Sequence, residues 1–97
     1  MNLGDAIINI RKALKVSRRN LASNSGISVT SLYNIEKNLS FPSQKTINNI
    51  SNALRVPISF LLFFSVTEED VPEHKRQTFR FLSTTLKAFL LDELIQK

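Results

Sequence analysis

The chain has 97 residues, of which 42% are hydrophobic and 22% are charged, and these values favour one small globular protein over a disordered chain. It contains no cysteine, which excludes disulfides, thiolate nucleophiles and cysteine-ligated metal centres and is compatible with the reducing cytoplasm. Residues 1–55 carry eight basic and two acidic residues, a net of +6, while residues 56–97 carry five basic and six acidic residues, a net of −1. This uneven distribution of the total charge of +5 indicates that the basic half presents a surface for phosphate and that the other half presents a surface for a different partner.

The basic half is predicted to form short helices that are started by caps or ended by helix breakers. Apolar residues recur three or four positions apart over residues 2–15, which is typical of an amphipathic first helix. Ser17, Ser28 and Ser43 are placed to cap the second, third and fourth helices. Pro57 ends the fourth helix and opens a short and very apolar fifth helix.

Residues 18–37 have the spacing of two short helices that are joined by a tight turn. Gly26 reaches a positive φ without steric cost, and Ala22 is small enough to let the two helices approach each other. The predicted buried seam consists of Leu21, Ile27, Leu32 and Ile35. Two helices that cross in this way form a helix-turn-helix, whose second helix lies in a major groove of DNA. A plain helical hairpin in an all-α core is the alternative, because leucines at helical spacing are common in cores.

Residues 67–97 are predicted to be an acidic, proline-punctuated linker followed by one long helix. Asp70 and Glu73 have the spacing of a capping box, and Pro72 is tolerated in a first turn, so the helix is predicted to run from Glu73 to about Ile95. We therefore divide the chain into a domain of residues 1–66 and a C-terminal segment of residues 67–97.

The long helix has apolar residues on two sides, whereas a surface helix needs only one apolar stripe. One stripe is expected to cover the apolar segment Phe60–Phe64 and contains Phe79, Leu82, Leu86, Phe89 and Leu90. The other is expected to form a homodimer interface and contains Phe81, Ala88, Leu91 and Ile95.

The helix-turn-helix and its surroundings resemble a known family over about residues 3–64. The residues that carry the resemblance are Ile10-Arg11, Val16-Ser17-Arg18, Leu21-Ala22, Gly26-Ile27-Ser28, Leu32, Ile35-Glu36, Phe41-Pro42-Ser43 and Ala53-Leu54. In these residues the sequence resembles the XRE family, the helix-turn-helix type of phage lambda repressor and Cro. The resemblance implies an all-α fold, a five-helix lambda-repressor-like DNA-binding domain, here with an added C-terminal helix for dimerisation. It also implies a structural ion pair between Arg11 and Glu36.

Two positions depart from the family pattern. Arg18 stands where the family usually has a glutamine at the start of the second helix, so a charge replaces the hydrogen bonds of that amide. A contact of this residue with phosphate is still expected. Lys15 stands where the family often has a glycine before the second helix, which affects the turn at that point and not the motif itself.

Candidate DNA contacts divide into those that hold phosphates and those that read bases. Phosphate contacts are expected at helix starts and after the second helix of the helix-turn-helix, which is the recognition helix. The residues expected to make them are Arg18, Arg19, Asn38, Gln44 and Lys45. The positions that match the base-reading positions of the family are Ser28, Val29, Thr30, Tyr33, Asn34 and Lys37. Because the centre of this helix has no arginine to bind guanine, Asn34 is expected to pair with adenine, and Val29 and Thr30 with thymine methyl groups. For Tyr33, a place at the edge of the core is the alternative.

These features predict a sequence-specific regulator of transcription, a repressor that binds double-stranded DNA at a palindromic operator as a homodimer through helix 28–37. The alternative is an antitoxin or similar protein, whose C-terminal helix binds a toxin or antagonist protein and whose DNA binding serves autoregulation.

With one histidine and no cysteine, we expect no enzyme, no metal and no cofactor. No apolar run approaches the ~20 residues of a membrane span, so a cytoplasmic protein without membrane contact is expected.

Overall fold

Six α-helices and two short 3-10 turns make up most of residues 1–96, the part of the chain that the computed structural model describes. The helices are α1 (Leu3–Ala13), α2 (Arg18–Ser25), α3 (Val29–Glu36), α4 (Gln44–Leu54), α5 (Ile58–Ser65) and α6 (Arg76–Ile95). The 3-10 turns, Glu68–Asp70 and Glu73–Lys75, lie between α5 and α6. No strand occurs within residues 1–96. The predicted all-α fold, with five helices and an added C-terminal helix, is confirmed.

Three serines start helices where the sequence predicts them. Ser17, Ser28 and Ser43 each accept, through Oγ, a hydrogen bond of 3.0–3.2 Å from the backbone N–H three residues later. Each bond satisfies one of the N–H groups that a helix start leaves without a partner inside the helix. These local bonds set the starts of α2, α3 and α4.

Each of the first four helices is followed, one or two residues after its end, by a residue in the left-handed conformation. These residues are Lys15 (φ 59°), Gly26 (φ 72°), Asn38 (φ 59°) and Arg55 (φ 58°). A left-handed residue closes the last turn and satisfies free carbonyl groups, but a side chain in that conformation costs roughly 1–2 kcal/mol. Lys15, at the family's glycine position, therefore makes the turn between α1 and α2 at an energetic cost.

The core is built from one buried face of each of the first five helices. Its residues are Leu3, Ala6, Ile7, Ile10, Leu21, Ala22, Leu32, Ile35, Ile50, Leu54, Val56, Leu61 and Phe64. Helix α1 packs against α3 and α5, and α2 packs against α3 and α4. Gly4 permits the close approach of α1 to the end of α3, because a Cβ atom there would overlap the carbonyl oxygens of Ile35 and Glu36. Within residues 1–96, no helix has the length and apolar character needed to cross a bilayer.

The linker before α6 differs from the sequence prediction. The carboxylate of Asp70 accepts a 2.9 Å hydrogen bond from the backbone N–H of Thr67, so it caps the first 3-10 turn and not the long helix. After Pro72 the chain makes a second 3-10 turn, and α6 begins at Arg76 instead of Glu73. Such tight turns are common where a helix starts, and apolar periodicity does not distinguish them from helix.

Helix α6 packs on the core through a different face from the one predicted. Ser83 is buried on this face, and Leu90, Leu91 and Leu94 pack against the core as half-buried residues. Three members of the predicted inner stripe point to solvent instead: Leu82 is 58% exposed, Leu86 46% and Phe89 59%. The prediction that these three cover Phe60–Phe64 is therefore wrong. In the predicted dimer stripe, Leu91 lies on the core, while Phe81, Ala88 and Ile95 are exposed.

Three basic side chains fix the rotation of α6. Arg76 Nε donates to the carbonyl oxygens of Glu68 and Val71, at 2.9 and 3.0 Å. Arg80 forms an ion pair with the Glu68 carboxylate. Lys87 Nζ donates to the carbonyl oxygen of Val66 at 3.3 Å and lies 5.9 Å from the centre of the Phe63 ring. Because the bonds from Arg76 and Lys87 are partly buried against the linker, Leu82, Leu86 and Phe89 are left on the solvent side.

Candidate nucleic-acid interface

Helix α3 lies on the surface of the basic half and buries only its inner side. Leu32, Ile35 and Glu36 are buried, whereas Val29 and Tyr33 are 44% and 42% exposed. Helix α2 packs against this buried side, and the left-handed Gly26 makes the turn between the two helices. The segment is thus a helix-turn-helix whose second helix is free to contact a partner along its outer side.

The residues predicted to read bases largely share this outer side. Ser28, Val29, Thr30, Tyr33 and Lys37 are exposed, and Asn34 is half-buried. At about 100° per residue, positions 29, 30, 33, 34 and 37 fall within one sector of roughly 140°. We call these five residues the reading face. Ser28 lies outside it, because its Oγ caps the helix and also donates to Ser31 Oγ at 2.9 Å.

A buried carboxylate holds the three helices around the reading face together. Glu36 is fully buried and accepts from Arg11 Nε and Nη2 at 2.7 and 3.2 Å, and from Arg18 Nε at 2.8 Å. Arg11 also donates to the carbonyl oxygen of Val16 at 3.2 Å. Bidentate arginine–carboxylate contacts are strong and directional, and a buried charge without such partners is strongly destabilising. The cluster thereby fixes α1, α2 and α3 relative to one another.

Arg18 connects this cluster to the reading face. Its Cζ atom lies 5.3 Å from the centre of the Tyr33 ring, and Lys37 Nζ lies 5.7 Å from the same centre. Cations over an aromatic ring are attracted by its negative face, and the attraction strengthens as water is excluded. Tyr33 is therefore an exposed ring of α3 that is held by two cations, and Arg18 is a structural residue as well as a candidate for phosphate contact.

Three of the predicted phosphate residues stand exposed at helix starts. Arg19 lies in the first turn of α2, and Gln44 and Lys45 lie in the first turn of α4. A helix start presents free N–H groups and the positive end of the helix dipole, which together attract anions. These two helix starts therefore present both positive charge and hydrogen-bond donors to an anionic backbone.

Asn38 has a role inside the protein that sequence reasoning missed. Its Oδ1 accepts from the backbone N–H of Gly4 at 3.1 Å, and its Nδ2 donates to Asn2 Oδ1 at 2.8 Å. The side-chain amide thus joins the end of α3 to the start of α1. An asparagine just after a helix is the only signal in the sequence, and it does not reveal a partner 34 residues away.

The loop after α3 carries two exposed apolar side chains that are not among the DNA-contact residues predicted from the sequence. Leu39 and Phe41 are each 72% exposed, while Pro42 between them and α4 is buried. Apolar residues in a loop next to a recognition helix are the signal that could have identified them. They lie along the chain between Lys37 and the start of α4.

The exposed side chains of residues 1–55 keep most of the net positive charge of this half. Lys12, Lys15, Arg19, Lys37, Lys45 and Arg55 are exposed. Of the two acids, Glu36 is buried between arginines, so Asp5 is the one acidic side chain of this half on the surface. The resulting field attracts polyanions over the half of the molecule that contains α3.

The family assignment comes from residues 7–61, which match the sequence model of a helix-turn-helix family. The match covers more than half of the chain. The protein belongs to the XRE family of helix-turn-helix domains. It is thus a DNA-binding helix-turn-helix regulator, and the family is not typically enzymatic. The XRE match runs from α1 into α5 and includes the reading face, whereas α6 lies outside it. No curated protein matches the chain.

Proposed function

We propose that this XRE protein is a transcriptional repressor of the cytoplasm that binds a palindromic operator in double-stranded DNA as a homodimer. The observation that carries this proposal is the reading face of α3, of which four of the five side chains are exposed, in a half of the chain whose exposed side chains include six basic ones and one acidic one. A narrow helix face with polar and apolar side chains fits a major groove, and the surrounding charge supplies affinity without sequence preference.

In the proposed complex, the two kinds of contact come from different elements. Arg19, Gln44 and Lys45 hold phosphates from the starts of α2 and α4. Asn34 pairs with adenine, and Val29 and Thr30 pack on thymine methyl groups, so the centre of each half-site is rich in A·T pairs. Tyr33 and Lys37 contact the DNA as one unit, since the lysine lies over the tyrosine ring.

Of the two possible effects on transcription, repression and activation, we propose repression because it requires the fewest additional parts of the protein. Beyond the DNA-binding helices, the described chain adds a linker and α6. Occupancy of an operator blocks access to DNA without a further catalytic or ligand-binding part. A homodimer adds affinity because each bound half raises the effective concentration of the other half at its own half-site.

The test is selection of preferred duplexes from a random library, followed by fluorescence anisotropy with the selected duplex and a scrambled one. We expect a palindromic site with A·T-rich half-site centres, and Asn34→Ala should reduce discrimination by about 1–3 kcal/mol per affected contact. Asn52→Ala is the matched control, since Asn52 is an exposed asparagine near the end of α4. A selected site with a G·C centre that is insensitive to Asn34→Ala would contradict the proposed readout.

A second candidate function, binding of a toxin or antagonist protein, is favoured by the exposed apolar residues of α6. In that case the long helix serves the partner, and DNA binding serves autoregulation. The size of the purified protein separates the candidates, because a homodimeric repressor needs no second protein to assemble.

A further inference from the structure

One line of side chains, formed by α6 and the residue that precedes it, has a symmetric order. The line consists of Lys75, which is the N-cap of α6, and of Phe79, Leu82, Leu86, Phe89 and Glu93 in the helix. The steps between successive members are four, three, four, three and four residues, which is the spacing of a seam between two packed helices. Leu82, Leu86 and Phe89 are the exposed apolar residues identified above, and Phe79 is half-buried. We call these six residues the α6 seam.

The order of the α6 seam is self-complementary when it is read in opposite directions. If a second α6 runs antiparallel, with the two-fold axis at the level of residue 84, Phe79 lies opposite Phe89 and Leu82 lies opposite Leu86. The same register places Lys75 opposite Glu93. Because one two-fold axis generates each pair twice, the arrangement closes with two copies and leaves no open end.

We propose that the α6 seam binds the α6 seam of a second copy of this chain in this antiparallel arrangement. The inference rests on the proposed homodimer and specifies its surface and geometry. Antiparallel pairing brings the basic start of one helix, with Lys75 and Arg76, over the acidic end of the other, with Asp92 and Glu93. It also opposes the two helix dipoles favourably.

A parallel arrangement of the same helices is disfavoured by the charges at the ends of the seam. It would place Lys75 against its own copy and Glu93 against its own copy, and like charges at facing positions are destabilising. A heterologous partner would have no reason to match the symmetric order of the seam. The observations therefore favour a second copy as the occupant.

The proposed interface differs from the stripe expected from the sequence. Phe81 precedes Leu82 and lies about 100° around the helix from it. Leu91 is half-buried against the core and is therefore less available to a partner than the exposed residues of the α6 seam. Phe81 and Leu82 thus form a matched pair of adjacent, exposed apolar residues, one outside the seam and one inside it.

The first experiment compares Leu82→Glu with Phe81→Glu in the full chain by sedimentation equilibrium, with circular dichroism to verify the fold. Leu82→Glu should weaken the dimer about 100-fold or more, because it places a charge at the centre of an apolar seam, and Phe81→Glu should change it less than about threefold. A wild-type monomer at tens of micromolar, or a larger effect of Phe81→Glu, would overturn the proposal.

The second experiment tests the antiparallel register through the charges. Lys75→Glu and Glu93→Lys each place like charges opposite each other and should weaken the dimer roughly two- to fivefold, while the double variant restores the opposite charges and the affinity. In a parallel dimer, each position faces its own copy, so the single changes only replace one pair of like charges by another and should not weaken the dimer. Single variants that dimerise as strongly as the wild type, or a double variant that does not recover from a loss in the single variants, would therefore contradict the register.

The third experiment uses the absence of natural cysteine. Leu82→Cys and Leu86→Cys variants, one of them labelled with ¹⁵N, are mixed and oxidised, and the cross-linked products are weighed intact. Antiparallel pairing predicts mainly mixed dimers, because position 82 faces position 86, whereas a parallel seam predicts dimers of each variant with itself.

Salt-dependent binding of duplex DNA by all these variants is measured separately. A dimer without DNA binding refutes the proposed function alone, and DNA binding without this dimer refutes the seam alone.

Discussion

The Arg18 guanidinium lies over the Tyr33 ring, with 5.3 Å between Cζ and the ring centre. The same guanidinium donates to the buried Glu36, so one side chain contacts both the carboxylate that joins three helices and the exposed ring of the reading face. The orientation of α3 and the position of its aromatic side chain therefore depend on one cluster. The first prediction follows from this cluster.

Glu36→Ala should lower the free energy of unfolding by about 3–5 kcal/mol, because it leaves the buried Arg11 without its carboxylate partner. Urea denaturation followed by circular dichroism measures the change. Glu69→Ala, at an exposed acid, is the control and should change stability by less than about 0.5 kcal/mol. Equal effects of the two substitutions would contradict a structural role for the cluster.

The left-handed residues at the helix ends give a second prediction. Gly26→Ala should destabilise the protein by roughly 1–2 kcal/mol through backbone strain, since a Cβ atom at Gly26 would have no neighbour within 4 Å. Lys15→Gly should stabilise it by up to about 1 kcal/mol, because relief of strain exceeds the added entropy of the unfolded chain. Lys15→Ala is the control and should leave stability nearly unchanged. Thermal unfolding of the three variants checks these signs.

The third prediction concerns the salt dependence of DNA binding. With on the order of six to ten phosphate contacts per dimer, affinity should fall ~10³- to 10⁵-fold between 50 and 200 mM salt. Lys45→Ala should lower the slope of log affinity against log salt by about 1 for each chain bound, whereas Asn34→Ala should lower affinity for the preferred site and leave the slope unchanged. A flat salt dependence of the wild-type protein would contradict binding through the basic half.

The fourth prediction concerns the ion pair that anchors α6. The hydrogen bond from Arg80 holds the pKa of Glu68 below its usual value of 4.5. Because the pKa is depressed in the folded state, the stabilisation is present above the unfolded pKa and is lost as the pH falls through the folded pKa. The Nε–H resonance of Arg80 in NMR spectra should therefore be constant at neutral pH and shift below about pH 4.5. In Glu68→Gln that acidic transition of the resonance should be absent.

Features of the fold that depend on neighbouring residues could be predicted from the sequence. Ser17, Ser28 and Ser43 bond to backbone groups three residues away, so cap residues alone locate the starts of three helices. The turn at Gly26 likewise follows from a conformation that one residue type adopts readily. The outward positions of α3 follow from the helix period once its cap and buried seam are known.

Features that depend on distant partners could not be predicted in the same way. The rotation of α6 is set by bonds from Arg76 and Lys87 to backbone carbonyls of the linker, and apolar periodicity contains no information about such bonds. Neither of the two predicted apolar stripes is therefore the inner face, which takes Leu90 from one stripe, Leu91 from the other and Leu94 from neither. The sequence likewise does not reveal the contact of the Asn38 amide with Gly4, because the two residues are 34 positions apart and meet only in the folded chain.

The most direct test of the account is the number of protein chains that bind one duplex. Sedimentation velocity of the full chain with the selected site, at about 150 mM salt, should show two chains on a duplex whose half-sites are centred about 10 base pairs apart. Removal of one half-site should reduce affinity steeply, and Leu82→Glu should have the same effect on the intact site. One chain per duplex at saturation, or equal affinity for the selected and scrambled duplexes, would contradict a dimeric sequence-specific regulator.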